Sequence, residues 1–121
     1  MSKQEVLQKL VENLRSSIPD LKGVLIASTD GLPIADSLPA GMDASRVAAM
    51  TATAVGLGKR ISETLSAGVL SETSVTAKDG QIFIYSAGPK GVLAVLAPPS
   101  TNVGLIHLEA RTAAKEIAGI M

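Results

Sequence analysis

The run Gly23-Val24-Leu25-Ile26-Ala27-Ser28-Thr29-Asp30-Gly31-Leu32-Pro33-Ile34-Ala35 constrains the fold more than any other part of the chain. An apolar segment, an Asp-Gly pair and a second apolar segment predict two strands joined by a tight turn, spanning about Leu21 to Ser37. Gly31 supplies the positive φ that such a turn demands. The first segment is apolar at successive positions, not at alternate ones. A strand of that kind buries both faces, so it belongs inside a sheet covered on both sides. Pro33 has no N–H to give a ladder and places the second strand at an edge.

The remaining elements follow from spacing. Ser2 and Glu5 stand as a capping box, and Val6, Leu7, Leu10, Val11 and Leu14 recur at helical period behind them. Asp43 is the expected N-cap of a long helix running to about Ser66, with Gly68 as its stop. Its expected sheet-facing stripe is Val47, Met50, Ala54, Leu57, Ile61 and Leu65. The other face carries Ser45, Ala49, Ala52, Gly56, Lys59, Arg60 and Glu63. Small residues fill the middle of that second face, where a solvated helix would carry charges. Gly56 and Gly58 each cost about 1 kcal/mol against Ala in a helix interior. A close helix–helix crossing accounts for them, because backbones approach only where side chains are short.

Val69 to Ala77 alternates largely with Ser and Thr, as an edge strand does. Lys78-Asp79-Gly80 turns into Gln81–Ser86, and Gly88-Pro89-Lys90-Gly91 turns into Val92–Ala97, which is apolar throughout and therefore central. Asn102 is placed to cap a last helix bearing Ile106, Ala110, Ala113, Ile117 and Ile120 on one face. The order is α-β-β-α-β-β-β-α. Two fully apolar strands need cover on both sides and three helices can supply it, which predicts an α/β sandwich of the α+β kind with an antiparallel sheet between helical layers. A length of 121 residues, 46% of them apolar and 18% charged, fits a single domain over residues 1–121.

Composition excludes several functions. Eleven basic residues balance eleven acidic ones, and Phe83 and Tyr85 are the sole aromatics. A nucleic-acid binder would show a basic stripe, and a single-strand binder stacking aromatics as well. No apolar run approaches the roughly 20 residues that span a bilayer. The N-terminus passes straight into an amphipathic pattern without a signal-peptide core. With no cysteine, a cytoplasmic protein is expected.

Nothing in the chain forms a catalytic, cofactor or metal site. Gly56-Leu57-Gly58-Lys59-Arg60 comes nearest to a phosphate loop, but Thr53 and Arg60 stand where Gly and Ser or Thr are required, and the segment lies inside a helix. His107, the single histidine, has no partner at metal-ligand spacing and is expected on the surface of the last helix. Asp30 and Asp79 each precede a turn glycine and are explained by turn hydrogen bonding. Tyr85 and Phe83 share one strand face, which points to packing.

Taken together, the first hairpin, the Ala-rich helix after Asp43, Gly91-Val92-Leu93-Ala94-Val95-Leu96 and Asn102-Val103-Gly104-Leu105-Ile106-His107-Leu108-Glu109 resemble the Roadblock (dynein light chain) family, related in fold to longin-type domains. The resemblance implies a five-stranded antiparallel sheet with the long helix on one face and the two terminal helices on the other. It implies a homodimer joined through the third strand and the central helix, with Ala49, Ala52, Thr53, Gly56, Val69, Ser71, Thr73 and Val75 as interface candidates. It implies regulation of, or scaffolding for, a Ras-like small GTPase, for which Arg46, Lys59, Arg60 and Glu63 are the platform candidates. An arginine finger from Arg46 or Arg60 fits the same picture, though nothing singles out either one. Some relatives are light chains of motors, so an assembly module without GTPase contact is the alternative. A small-molecule sensor would need a polar pocket, and no convergent polar cluster lines one. Without an extension beyond the domain, the chain resembles the minimal stand-alone form of prokaryotes.

Overall fold

The computed structural model describes residues 1–121. Helix α1 (Lys3–Ser17) is followed by strands β1 (Gly23–Ser28) and β2 (Pro33–Ser37), helix α2 (Ala44–Thr64), strands β3 (Glu72–Ala77), β4 (Gly80–Ala87) and β5 (Gly91–Ala97), and helix α3 (Val103–Ile120). This is the expected order. The strands form one antiparallel sheet in the order β2-β1-β5-β4-β3. The two fully apolar strands lie side by side in its interior, Leu25 opposite Ala94 and Ile26 opposite Leu93. Both polar strands are edges, as Pro33 and the Ser/Thr pattern of β3 require.

Local signals set the element ends. Ser2 and Glu5 form the capping box of α1, Asp43 accepts from the Ser45 N–H at 2.9 Å, and Asn102 accepts from the Leu105 N–H at 3.0 Å. Gly31 makes the first hairpin turn at φ +89°, a conformation that costs an L side chain energy. Helix α2 ends at Thr64, two residues earlier than its pattern suggested, and β3 begins at Glu72, so Val69 to Ser71 are not in the strand.

Alternation along the strands splits the core into two unequal layers. Val24, Ile26, Phe83, Tyr85, Leu93 and Val95 point to α1 and α3, where 19 buried residues form one cluster. Leu25, Ala27, Ile84, Val92 and Ala94 point to α2, where the cluster has only seven, α2 itself giving Ala48 and Val55. The second layer is thin because the helix lies close.

That closeness overturns the expected orientation of α2. Its buried residues are Ala48, Thr51 and Val55, whereas Met50, Leu57, Ile61 and Leu65 of the predicted stripe are exposed. Val47 and Ala54 lie half-buried at its margin. The helix is turned about a quarter turn from the expectation, at 100° per residue. The sheet already fills this layer with Leu25, Ile84 and Val92, so the helix approaches with its short side chains. Gly58 is part of that contact. A Cβ there would come within 2.9 Å of Thr73 Oγ1 and 3.0 Å of Leu70 Cδ2. The glycine expected at a helix–helix crossing instead serves a helix–strand crossing inside the chain.

The seating is directly testable. Ala48→Leu puts three further carbons into the thin layer and should lower unfolding stability by about 1–3 kcal/mol. Denaturant titration at a single protein concentration measures it. An unchanged midpoint would mean that α2 does not rest on Ala48.

Candidate interaction site

Turning α2 by its small face onto the sheet leaves its large apolar residues without cover. Met50, Leu57 and Ile61 follow one another along one flank, each at least 50% exposed. Leu65 continues the line and Val69, in the loop beyond, is 99% exposed. Beside this flank, α2 and the sheet bound an open groove of about 700 Å³, with Met42, Val47, Met50 and Ala54 on one side and Val75, Ile82 and Ile84 on the other. Scattered apolar residues on a surface mean little, but a contiguous exposed run marks a candidate contact surface for a protein, a membrane or a ligand. Asp43 and Arg46 line the head of the groove.

The groove opens beside a sheet edge. Strand β3 pairs only with β4, in unbroken register from Glu72 opposite Tyr85 to Ala77 opposite Gly80. One row of its N–H and C=O groups therefore faces outward, and such a row is a template for another strand.

The residues singled out from the sequence fall in distinct places. Arg46, Thr53 and Arg60 are seven apart and share the crest of α2 that points away from the sheet, near Ala49 and Gly56. All five are exposed, and the Thr53 hydroxyl donates to the Ala49 carbonyl at 2.8 Å. Ala52 is half-buried beside the Gly31 turn. Lys59 and Glu63 lie exposed on the far flank. Of the candidates in and just before β3, Val75 reaches the groove, Ser71 is exposed ahead of the strand, and Thr73 is half-buried under Gly58 with its Oγ1 enclosed and without a hydrogen-bond partner. Arg46, Lys59, Arg60 and Glu63 form no ion pair within the chain, whose two such pairs both involve Glu72.

Those two pairs belong to a second polar group, on the opposite face of the sheet. The Glu72 carboxylate receives both Nε and Nη2 of Arg111, the latter at 2.9 Å. His107, one turn earlier on α3, has Nδ1 2.8 Å from the Tyr85 hydroxyl and 4.0 Å from Glu72. Its ring meets Phe83 and Tyr85 edge-on, at centroid distances of 5.4 and 5.8 Å. The histidine expected at the surface is thus three-quarters covered, because a strand with two aromatics gives an imidazole both a packing surface and a hydroxyl. Glu72 is held below its ordinary pKa by the Arg111 hydrogen bonds, which outweigh burial. Burial, and then the Glu72 carboxylate, push the Tyr85 hydroxyl above its usual value. The group fastens the start of β3 to α3.

Sequence reasoning missed Met50, Leu57 and Ile61 as surface residues, and Glu72 with Arg111 as a link. For the first, the signal was an apolar arc too wide for one contact: small residues line one side of it and large ones the other. For the second, it was a lone charge in the Val69–Ala77 strand, which required a partner on another element. No group of three or more His, Cys, Asp or Glu side chains is gathered where a metal could bind, and no helix is long and apolar enough to cross a membrane.

A five-stranded antiparallel sheet with one long helix across one face and two terminal helices behind it is the architecture of a Roadblock domain. The family model for the Roadblock/LC7 domain matches residues 7–97, and the chain belongs to that family. Three uncharacterised proteins of Methanocaldococcus jannaschii are each 35% identical to it over 97 residues. The match spans 80% of this chain and 84, 84 and 81% of theirs. Among solved structures, a Roadblock/LC7 domain from Streptomyces avermitilis superposes with a TM-score of 0.87 at 21% identity, over 93% of this chain and 94% of that one. MglB of Myxococcus xanthus gives 0.87 at 18% identity, covering 95 and 94%. An MglB in a tetrameric arrangement gives 0.90 at 15%, covering 99 and 90%. At these identities the structures share the fold.

The Glu72–Arg111 link predicts a pH response. A carboxylate whose folded pKa is depressed stabilises the fold above its unfolded value, near 4.5, and loses that contribution as pH falls through the folded one. Glu72→Gln should therefore melt below the wild type at about pH 7, with the gap closing toward about pH 3. Thermal unfolding at both pH values checks this, and a gap that stays constant would contradict the ion pair.

Proposed function

We propose that this chain, a single Roadblock domain over residues 1–121, is a non-catalytic homodimeric adaptor that binds a Ras-like small GTPase in the cytoplasm. The observation that carries the proposal is the outward apolar flank Met50, Leu57 and Ile61 beside an unpaired strand edge. A second copy meets both needs at once. Antiparallel pairing of β3 with its twin satisfies the outward row of peptide groups, and Val69, Ser71, Thr73 and Val75 lie at that seam. The same two-fold sets one α2 beside the other, burying the apolar flanks against each other and closing the groove. A two-fold contact of this kind is self-complementary. The tetrameric arrangement described for an MglB is in keeping with a fold that assembles with itself.

What remains outward on the paired helices is the crest. Arg46 and Arg60 stand there with Ala49, Thr53 and Gly56 between them, flanked by Ala52, Lys59 and Glu63. Short side chains let a partner's surface come near the helix backbone, and the charges at either end fix its position. Charge at a rim sets encounter rate and orientation more than affinity. In the Roadblock family the partner implied is a small GTPase, and the chain acts on its nucleotide cycle by holding one switch conformation better than the other. Such a partner shifts an equilibrium only by its difference in affinity for the two states, tenfold for about 1.4 kcal/mol.

Two variants separate the surfaces. Leu57→Glu combined with Ile61→Glu should convert the dimer to a folded monomer by light scattering, with the dissociation constant raised at least about tenfold. Arg46→Ala combined with Arg60→Ala should leave the dimer mass unchanged and weaken titration of GTPases from the same genome, loaded with GTP or GDP. A wild-type chain that is monomeric defeats the homodimer. A dimer that binds no such GTPase in either nucleotide state defeats the adaptor role and leaves the light-chain-like assembly module.

A further inference from the structure

The sheet treats its two edges in opposite ways. At the β2 edge, α1 lies alongside the strand and turns a stripe of side chains onto the main chain. Gln8 bonds one residue twice: its Nε2 donates to the Asp36 carbonyl at 2.8 Å, and the Asp36 N–H donates to its Oε1 at 3.3 Å. Facing residues of an antiparallel ladder exchange N–H and C=O bonds in just this pairwise manner, so the Gln8 amide stands in for a peptide of an absent strand. Its other Nε2 hydrogen is taken by Glu12 at 3.2 Å. One helical turn earlier, Gln4 Nε2 donates to the Ile34 carbonyl. Two turns later, Arg15 Nη1 donates to the Ser37 carbonyl at 3.1 Å and hydroxyl at 2.9 Å. Pro33 opens the strand with no N–H at all. Strand β3 has none of these devices. It contains no proline and no bulge, and its one charge, Glu72, is committed to Arg111.

We propose that α1 is an edge seal: Gln4 and Gln8 occupy the outward main-chain groups of Ile34 and Asp36 while Arg15 clamps the strand's end at Ser37, so that the sheet accepts a new strand only at β3 and strand pairing ends with two copies. The β3 half of this statement rests on the homodimer proposed above, while the seal on β2 stands on its own hydrogen bonds. The asymmetry decides the symmetry of assembly. A β3-to-β3 contact is the same on both chains and closes, whereas a β3-to-β2 contact is head-to-tail and propagates into a filament. Sealing β2 removes the second route, and any larger assembly has to use other surfaces.

The test replaces Gln4, Gln8 and Arg15 together by Met, which keeps side-chain length and helix propensity but donates no hydrogen bond. Masses of wild type and variant are followed by light scattering over a wide concentration range. Wild type should hold one mass, and the variant should grow with concentration to about twice that mass or beyond. In dilute variant, where copies are apart, the Asp36 amide should exchange with solvent about five- to tenfold faster than in wild type. If the triple variant loses its circular-dichroism signature, the single Gln8→Met variant is measured in the same way. A folded variant that keeps the wild-type mass at every concentration overturns the seal. A monomeric wild type defeats the homodimer instead, and the seal is then decided by whether the variant gains mass over that monomer.

Discussion

The close approach of α2 to the sheet governs much of what is distinctive in this structure. Ala48, Thr51, Val55 and Gly58 bring the helix down onto strands whose own Leu25, Ile84 and Val92 fill the space between. A helix seated on its small residues has to leave its large ones elsewhere. In most small domains the bulky face of an amphipathic helix is the one that makes the core. Here the core on the other side of the sheet is large enough, with α1 and α3 covering it, that the α2 layer can remain thin. The bulky flank is then available for contacts outside the chain.

Much of the architecture could be read from the sequence because the decisive signals are local. Capping side chains, the Gly31 turn, Pro33 and two strands without polar positions each act within a few residues, and together they fix the element order and the interior of the sheet. The orientation of α2 was not legible in that way. Its apolar residues cover more than one face, and periodicity alone does not say which part of so broad an arc meets the sheet. Space decides, and space depends on side chains from β1, β4 and β5. For the same reason His107 was misplaced: its cover comes from Phe83 and Tyr85, about 22 positions earlier in the chain and near only after folding.

The candidate site divides along the same line. Charged residues on the crest of α2 could be named from the sequence, since exposure follows from charge. The apolar flank could not, because an exposed Leu57 and a buried one look alike in a pattern. The Gln4, Gln8 and Arg15 stripe is the more telling case. These are ordinary polar residues on the outer side of a surface helix, and only the path of β2 beside them gives them main-chain groups to bind.

Strand β3 is held unevenly, and this bears on how it moves. Near its start it is fastened from both sides, by Glu72 to α3 and by Thr73 beneath α2. From Ser74 to Ala77 every residue is exposed, and there the strand is held by its ladder to β4 and by the Lys78–Asp79 turn that joins the two. Local opening follows the number of buried contacts, so the first residues of the strand are the hardest to displace. An incoming strand thus has its firmest template at those residues, and pairing with the remainder follows as it zips along. Conformational entropy is lost in steps over the course of docking, not all at the moment of encounter.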